Sequence, residues 1–302
     1  MHIHYCDTFV LPLPPHHRFP MAKYRMLRER VLASGLLPTE RICEPIGATD
    51  EQLLLVHDPA YIERVKTGTL SPLEIRRIGF PWSLGMVQRS RRSVGGTIGA
   101  ARSALQYGAG VNLAGGTHHA GYDYGSGFCV FNDVVVAARV MQHEGLVCRV
   151  LIVDADVHQG EGTAALCEGD STIFTFSIHA EKNFPFRKYP SDLDIGLADG
   201  TGDAEYLAQF EMGLLKALSM AQADLVFYIG GADPYIDDRL GRLALSKAGL
   251  AERDRILYDI CGSMNLPVAT VMGGGYSPQL EDIVDIHFMT VSLAVRYGRQ
   301  YA

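Results

Sequence analysis

The chain has 302 residues, 47% of them hydrophobic, and sets 34 acidic against 27 basic side chains for a net charge of -7. That apolar content buries a large core and excludes extended disorder, while the acidic balance argues against a phosphate-backbone binder and tilts toward a cationic partner. No run approaches the about 18 uninterrupted apolar residues of a membrane-spanning helix, and no basic-then-apolar leader ends in a small-residue cleavage site. The six cysteines form no CxxC pair and no dense framework, so reduced thiols in a soluble, cytoplasmic protein are expected, engaged with neither membrane nor nucleic acid.

In chain order, residues 94–107 carry apolar side chains at helical spacing, 111–114 form a short β-rich apolar run, and 131–143 return to helical spacing. Residues 147–153 and 171–178 read as buried strands, 203–222 as a helix, 225–229 as a strand, 248–264 as a helix and 267–272 as a strand. The cluster Arg89, Arg91 and Arg92 reads as the solvated start of the first helix, and His16-His17, after two prolines, as a polar loop. The strands are apolar throughout rather than alternating, as expected when helices cover both faces of a parallel sheet. No repeat, low-complexity tract or linker divides residues 1–302. The expected fold is therefore α/β, one domain with a mostly parallel, many-stranded sheet and helices on both faces. Ligands of such sheets bind beyond the carboxyl ends of the strands.

Four of the predicted strands are followed by polar clusters. Gly115-Gly116-Thr117-His118-His119 follows the first, Asp154-Ala155-Asp156-Val157-His158 the second, Gly230-Gly231-Ala232-Asp233 the fourth, and Gly273-Gly274-Gly275-Tyr276 the fifth. This bias toward one rim points to one composite site. Residues two apart lie on the same side of an extended chain, so Asp156 and His158 can grip one ion, with Asp233 as third ligand. One imidazole and two carboxylates leave positions open for water and substrate, as in a catalytic zinc site. Each Asp taken singly is also explained as a helix cap. Adjacent His118 and His119 can divide proton transfer and field tuning between them. The glycine run before Tyr276 lacks the Lys-Ser/Thr ending of a phosphate loop, and a tyrosine there can place its hydroxyl over a polarised carbonyl.

These motifs, taken together and in order, resemble the histone deacetylase family: Gly-Gly-Thr-His-His-Ala, Gly-Phe-Cys-Val-Phe-Asn-Asp, Asp-Ala-Asp-Val-His-Gln-Gly-Glu-Gly, Gly-Ala-Asp and Gly-Gly-Gly-Tyr. His57-Asp58-Pro59-Ala60-Tyr61 and Asp238-Arg239-Leu240-Gly241 fit as well, and Gln159, where many relatives have a second His, looks most like class IV members and their bacterial relatives. The resemblance implies an arginase/deacetylase-like fold and hydrolysis of an acylated lysine or related acylated amine. It implies zinc on Asp156, His158 and Asp233, His119 as general acid/base, His118 as its electrostatic partner, and Tyr276 polarising the acyl carbonyl. Asp154 then backs His118, and Phe128 and Phe184 wall a narrow tube. A structural potassium ion is implied near Asp154, Asp156, His158, Ser177 and Ile178, held largely by backbone oxygens.

Glu161 departs from the pattern, standing where many relatives have Asp or Asn beside the second histidine. If the longer side chain does not pair with His119, the basicity of that imidazole is set differently. Two rivals are weighed against this reading. An arginase-like ureohydrolase wants another acidic ligand two residues beyond Asp233, where this chain has Tyr235. A non-catalytic acyl-lysine binding protein is expected to have lost Tyr276, a histidine or a ligand, and all are present. Oligomeric state has no signature in the sequence.

Overall fold

A computed structural model describes residues 1–301. Eight strands form one sheet: β1 (Ile3–His4), β2 (Ile42–Cys43), β3 (Ala109–Asn112), β4 (Val150–Asp154), β5 (Ile173–Ala180), β6 (Leu193–Leu197), β7 (Leu225–Gly231) and β8 (Val268–Gly273). Their order across the sheet is β2-β1-β3-β8-β7-β4-β5-β6, and every neighbouring pair is parallel. Ten α-helices accompany them among the described residues: α1 (Lys23–Ser34), α2 (Asp50–Leu54), α3 (Pro59–Thr67), α4 (Pro72–Ile78), α5 (Leu84–Tyr107), α6 (Asp133–His143), α7 (Glu161–Cys167), α8 (Asp203–Ala221), α9 (Lys247–Ser263) and α10 (Leu280–Tyr301). The α/β, mainly parallel architecture expected from the sequence is the one found.

β4, β7 and β8 are buried at every position, because β-branched and aromatic side chains on both faces meet helices. Burying each Val, Ile or Phe of these strands contributes about 1.5–3 kcal/mol relative to exposure. β6 instead alternates between partly buried and exposed residues up to Leu197, as an edge strand does, which explains why its apolar run is too weak to read from sequence. β1 and β2 span two residues each and carry too short a period to be legible.

The order of strands places the site. β3 is separated from β4 by β8 and β7, so the chain jumps across the sheet between β3 and β4 and later fills the gap with β7 and β8. The four strands followed by polar clusters thus become contiguous as β3-β8-β7-β4, and their parallel direction brings all four clusters to one edge.

One expectation is corrected. The arginine cluster is not a solvated helix start: α5 begins at Leu84, with Ser83 capping the Met86 amide, and Arg89, Arg91 and Arg92 lie within it. Arg89 is buried, donating from Nε to Phe9 O at 3.1 Å and from Nη2 to Tyr24 Oη at 3.2 Å, while Arg91 pairs with Asp50 and Arg92 with Glu44. The helix extends further back because N-terminal segments pack over it and take up its polar side chains. The six cysteines form no disulfide, and no helix among the described residues is long and apolar enough to cross a membrane.

Candidate active site

Beyond the carboxyl edge of the sheet lies a cavity of about 1070 Å³, lined among others by His118, His119, Asp156, His158, Glu161, Phe128, Phe184 and Tyr276. Residues proposed from four separate loops therefore face one space.

β3 leads into a turn in which Gly116 has φ +67°, and a Cβ there would lie only 3.0 Å from the Gly273 backbone. The turn is held by Asp133, at the start of α6, whose carboxylate accepts from the Gly116 amide at 3.2 Å, the Thr117 amide at 2.7 Å and the Thr117 hydroxyl at 2.6 Å. The neighbouring Asn132 donates to Ala120 O at 3.2 Å, while its own amide donates to His57 Nε2 at 3.0 Å, and His57 Nδ1 bonds Gly121 O at 2.9 Å. The Phe-Asn-Asp and His57 motifs thus brace the loop that presents His118 and His119.

His118 Nδ1 lies 2.6 Å from Asp154 Oδ2, and its Nε2 lies 3.1 Å from Nε2 of His119. On the far side of the pair, His119 Nδ1 lies 2.5 Å from Glu161 Oε2. Burial opposes charge on His118, but Asp154 and Asp156 outweigh it and hold its pKa up at about 9. Burial and the facing His118 push His119 the other way, to about 4. Two chemically identical rings are thereby divided into a charged and a neutral member.

Asp156, His158 and Asp233 each offer one atom within 4.8 Å of the others, the one such group found among the described residues. Asp156 Oδ1 lies 2.9 Å and Asp233 Oδ2 3.2 Å from His158 Nδ1. The space is reserved by glycine: a Cβ on Gly274, whose φ is +42°, would collide with the Asp233 carboxylate. Tyr235 bridges to Leu245 in the segment after Asp233, at the position where a dinuclear site would place another acid.

Tyr276 presents its ring to His158 at a centroid distance of 6.3 Å and to Phe128 at 6.0 Å. Burial, then Asp233, raises its phenol well above the ordinary value, so the hydroxyl remains a donor. Phe128 takes φ +67°, an unusual conformation for a bulky residue, with its amide bonded to Ile78 O at 2.7 Å. Phe184 stands on another wall, its ring edge-on to His119 at 5.0 Å. His17, expected in a plain polar loop, bonds Gly79 O at 2.8 Å and packs on Phe80 and Phe128, behind the aromatic wall. Ser177 is the register partner of Asp154 and bonds His179 at 2.9 Å; Ile178 follows it in the buried interior of β5, away from the cavity lining.

Three supporting residues are given no role by the sequence, in which Asp238 falls within a noted motif and Lys23 and Arg253 within none. Lys23, buried at the start of α1, directs Nζ to Gly274 O and, at 3.3 Å, to Gly275 O, and lies 5.4 Å from the Tyr276 ring; burial pushes its pKa down to about 8. Asp238 accepts from the Tyr276 amide at 2.6 Å and from the Leu240 and Gly241 amides at 2.8 and 2.9 Å, tying the loop after β7 to the loop after β8. Arg253, fully buried on α9, donates to Gly231 O at 2.8 Å and Ala155 O at 3.2 Å, two residues before Asp233 and one before Asp156. Charged residues on an otherwise apolar helix face were the available signal for Lys23 and Arg253.

Comparison with known proteins identifies the family and the fold. The histone deacetylase domain family matches residues 17–291. An uncharacterized protein of Picosynechococcus sp. is 47% identical over 283 residues, 94% of either chain. Histone deacetylase 2 of Arabidopsis thaliana is 30% identical over 89% of this chain and 72% of its own, and the acetoin utilization protein AcuC of Staphylococcus aureus 29% identical over 86% and 73%. In fold, the HD domain of HDA15 superposes with a TM-score of 0.84 at 22% identity, covering 100% of this chain and 93% of that one. A histone deacetylase homolog complexed with SAHA gives 0.80 at 23% identity, over 97% and 83%. With the family match running from the loop before α1 into α10 and taking in every cluster at the cavity, the chain belongs to the histone deacetylase family of hydrolases.

Proposed function

We propose that this protein is a zinc-dependent hydrolase of N-acyl amides whose substrate is an acylated lysine or a closely related acylated amine. The observation that carries the reading is the buried Asp156, His158 and Asp233 group, of which Asp156 and His158 line the same cavity as the His118–His119 pair and Tyr276. The donor set fits zinc: one imidazole and two carboxylates converge, Asp233 Oδ2 has no hydrogen-bond partner, and burial beside Asp156 pushes the Asp233 carboxyl up to about 7. A cation there relieves the cost of two adjacent buried carboxylates. Bound zinc supplies Lewis acidity toward the amide carbonyl and toward the attacking water.

The chain's own groups then divide the remaining work. His119, kept neutral by burial and by His118, accepts the proton of the attacking water and returns it to the leaving amine. His118, held charged by Asp154, stabilises the negative charge developing beside it. The Tyr276 hydroxyl donates to the acyl carbonyl oxygen, and Phe128 and Phe184 exclude water along the tube. Support for the potassium ion is narrower: the register pairing of Asp154 with Ser177 sets the β4 and β5 ends side by side.

The test is hydrolysis of fluorogenic acyl-lysine peptides of graded acyl length by zinc-loaded and chelator-stripped protein. Turnover that follows zinc supports the reading, and the length profile defines the acyl pocket. Absence of turnover on every acyl chain by zinc-loaded protein refutes it.

A further inference from the structure

The charge at the mouth of the cavity runs against that of the whole chain. Although acids outnumber bases overall, Asp156 and Glu161 are the acidic residues among the cavity lining, and both are engaged inside, with His158 and His119. Around the opening stand Arg18, Arg76, Arg77, Lys182, Arg187 and Arg239, all exposed. They come from four separate places: the loop before α1, the last turn of α4, the loop between β5 and β6, and the loop after β7. Arg77 stacks on Tyr124 at 3.7 Å; the other five make no ion pair or side-chain hydrogen bond among the described residues. Arg76 and Arg77 also suit the negative end of α4, but that accounts for neither Lys182 and Arg187 nor Arg239. Exposed Phe186 adds an apolar surface to the same rim.

Cations left without counterions converge on the mouth of the cavity. We infer that the rim is a docking surface for an acidic peptide segment, with carboxylates flanking the acylated lysine on both sides. The inference rests on the deacylase reading for the lysine itself, but the surface is independent of the chemistry. Cations drawn from four separate elements suit a chain laid over the opening, with acids before and after the inserted side chain; a single small anion does not need four elements to hold it. Polynucleotide binding wants a continuous basic stripe, and this ring sits on a protein of net charge -7. The acidic composition that favoured a cationic partner is therefore overruled locally, since a site responds to the charges within about one Debye length, ~10 Å at 0.1 M salt.

The experiment uses zinc-loaded full-length protein and acyl-lysine peptides matched except for flanks of Asp/Glu, Ser/Gly or Lys/Arg. At low salt the acidic-flank peptide should exceed the basic-flank one in kcat/KM by about tenfold or more, with the gap closing as salt rises. Arg187→Glu with Arg239→Glu should narrow or invert the order, and the milder pair Arg187→Gln with Arg239→Gln should move it the same way; Lys216→Glu, on distant α8, should leave it intact. Fluorescence anisotropy with the same labelled peptides reads the surface without turnover. Failure of all hydrolysis with tight, salt-sensitive binding of the acidic peptide sinks the deacylase reading alone. Equal kcat/KM and equal binding for the three flanks at low salt, or tighter binding of a single-stranded oligonucleotide or a free acylated dicarboxylate than of the acidic peptide, overturns the docking surface.

Discussion

Glu161 Oε2 lies 2.5 Å from Nδ1 of His119, so the carboxylate that departs from the family pattern by one methylene still reaches its histidine. Glu161 opens α7, and the amide of Ala164 bonds back to Gly160 O at 3.0 Å, so the first turn of that helix fixes where the longer side chain starts. The charge of Glu161 opposes the influences that lower His119, namely burial, His118 and, less strongly, His158. Glu161→Gln should therefore retain bound zinc and KM while lowering kcat by about 10–100-fold, the range typical of partners behind a catalytic group. Steady-state kinetics with metal analysis checks this; an unchanged kcat would remove Glu161 from any part in proton transfer.

Substitutions at the cavity should separate metal loss from chemistry loss. His158→Ala and Asp233→Ala should each release zinc, measured as metal per protein after dialysis, because each leaves only two of the converging groups. Tyr276→Phe should keep its zinc and lose about 10²–10³ in kcat, the usual effect of removing one donor to a developing oxyanion. A fully active Tyr276→Phe would sink the role assigned to the hydroxyl.

Asp238 holds Tyr276 through the backbone rather than the ring, with the amide at 2.6 Å. Asp238→Ala removes three accepted hydrogen bonds at once and lets the loops after β7 and β8 move independently. A drop of about tenfold or more in kcat is expected, since sub-ångström misplacement of a catalytic hydroxyl is costly. Comparison with Asp238→Asn tells geometry from charge: the asparagine keeps an acceptor and should recover part of the loss.

His57 links stability to pH. Burial pushes its pKa down from 6.5 to about 4, while both ring nitrogens serve the loop carrying the catalytic pair. Because the unfolded chain takes up the proton first, this stability is fully present above pH 6.5 and lost as the pH falls toward 4, by about 3 kcal/mol over the full span. His57→Gln should cost about 1–3 kcal/mol at pH 7, and its gap to the unsubstituted protein in urea unfolding should shrink across that window. A gap independent of pH would mean that His57 does not titrate on unfolding.

The strands from β3 onward that lie inside the sheet, and helices α6, α8 and α9, could be read from the chain because buried parallel strands are apolar at every position and their helices are amphipathic, whereas α7 and α10 were not read. The polar clusters at strand ends could be read for a related reason: charged residues abutting a buried run need a purpose. Edge strand β6 and the two-residue β1 and β2 could not, since half-exposed or very short segments leave no periodic signal. What the tertiary structure alone decided is adjacency. Lys23 meets Gly274 and Gly275 across some 250 residues of chain, and Arg253 reaches Ala155 and Gly231 from a helix whose sequence shows only a buried charge. Such contacts depend on the order of strands in the sheet, which follows from the crossovers and from packing summed over the whole core. The basic mouth has the same origin: six cations scattered from residue 18 to residue 239 carry no pattern along the chain and become a surface only when three loops and the end of α4 meet at one opening.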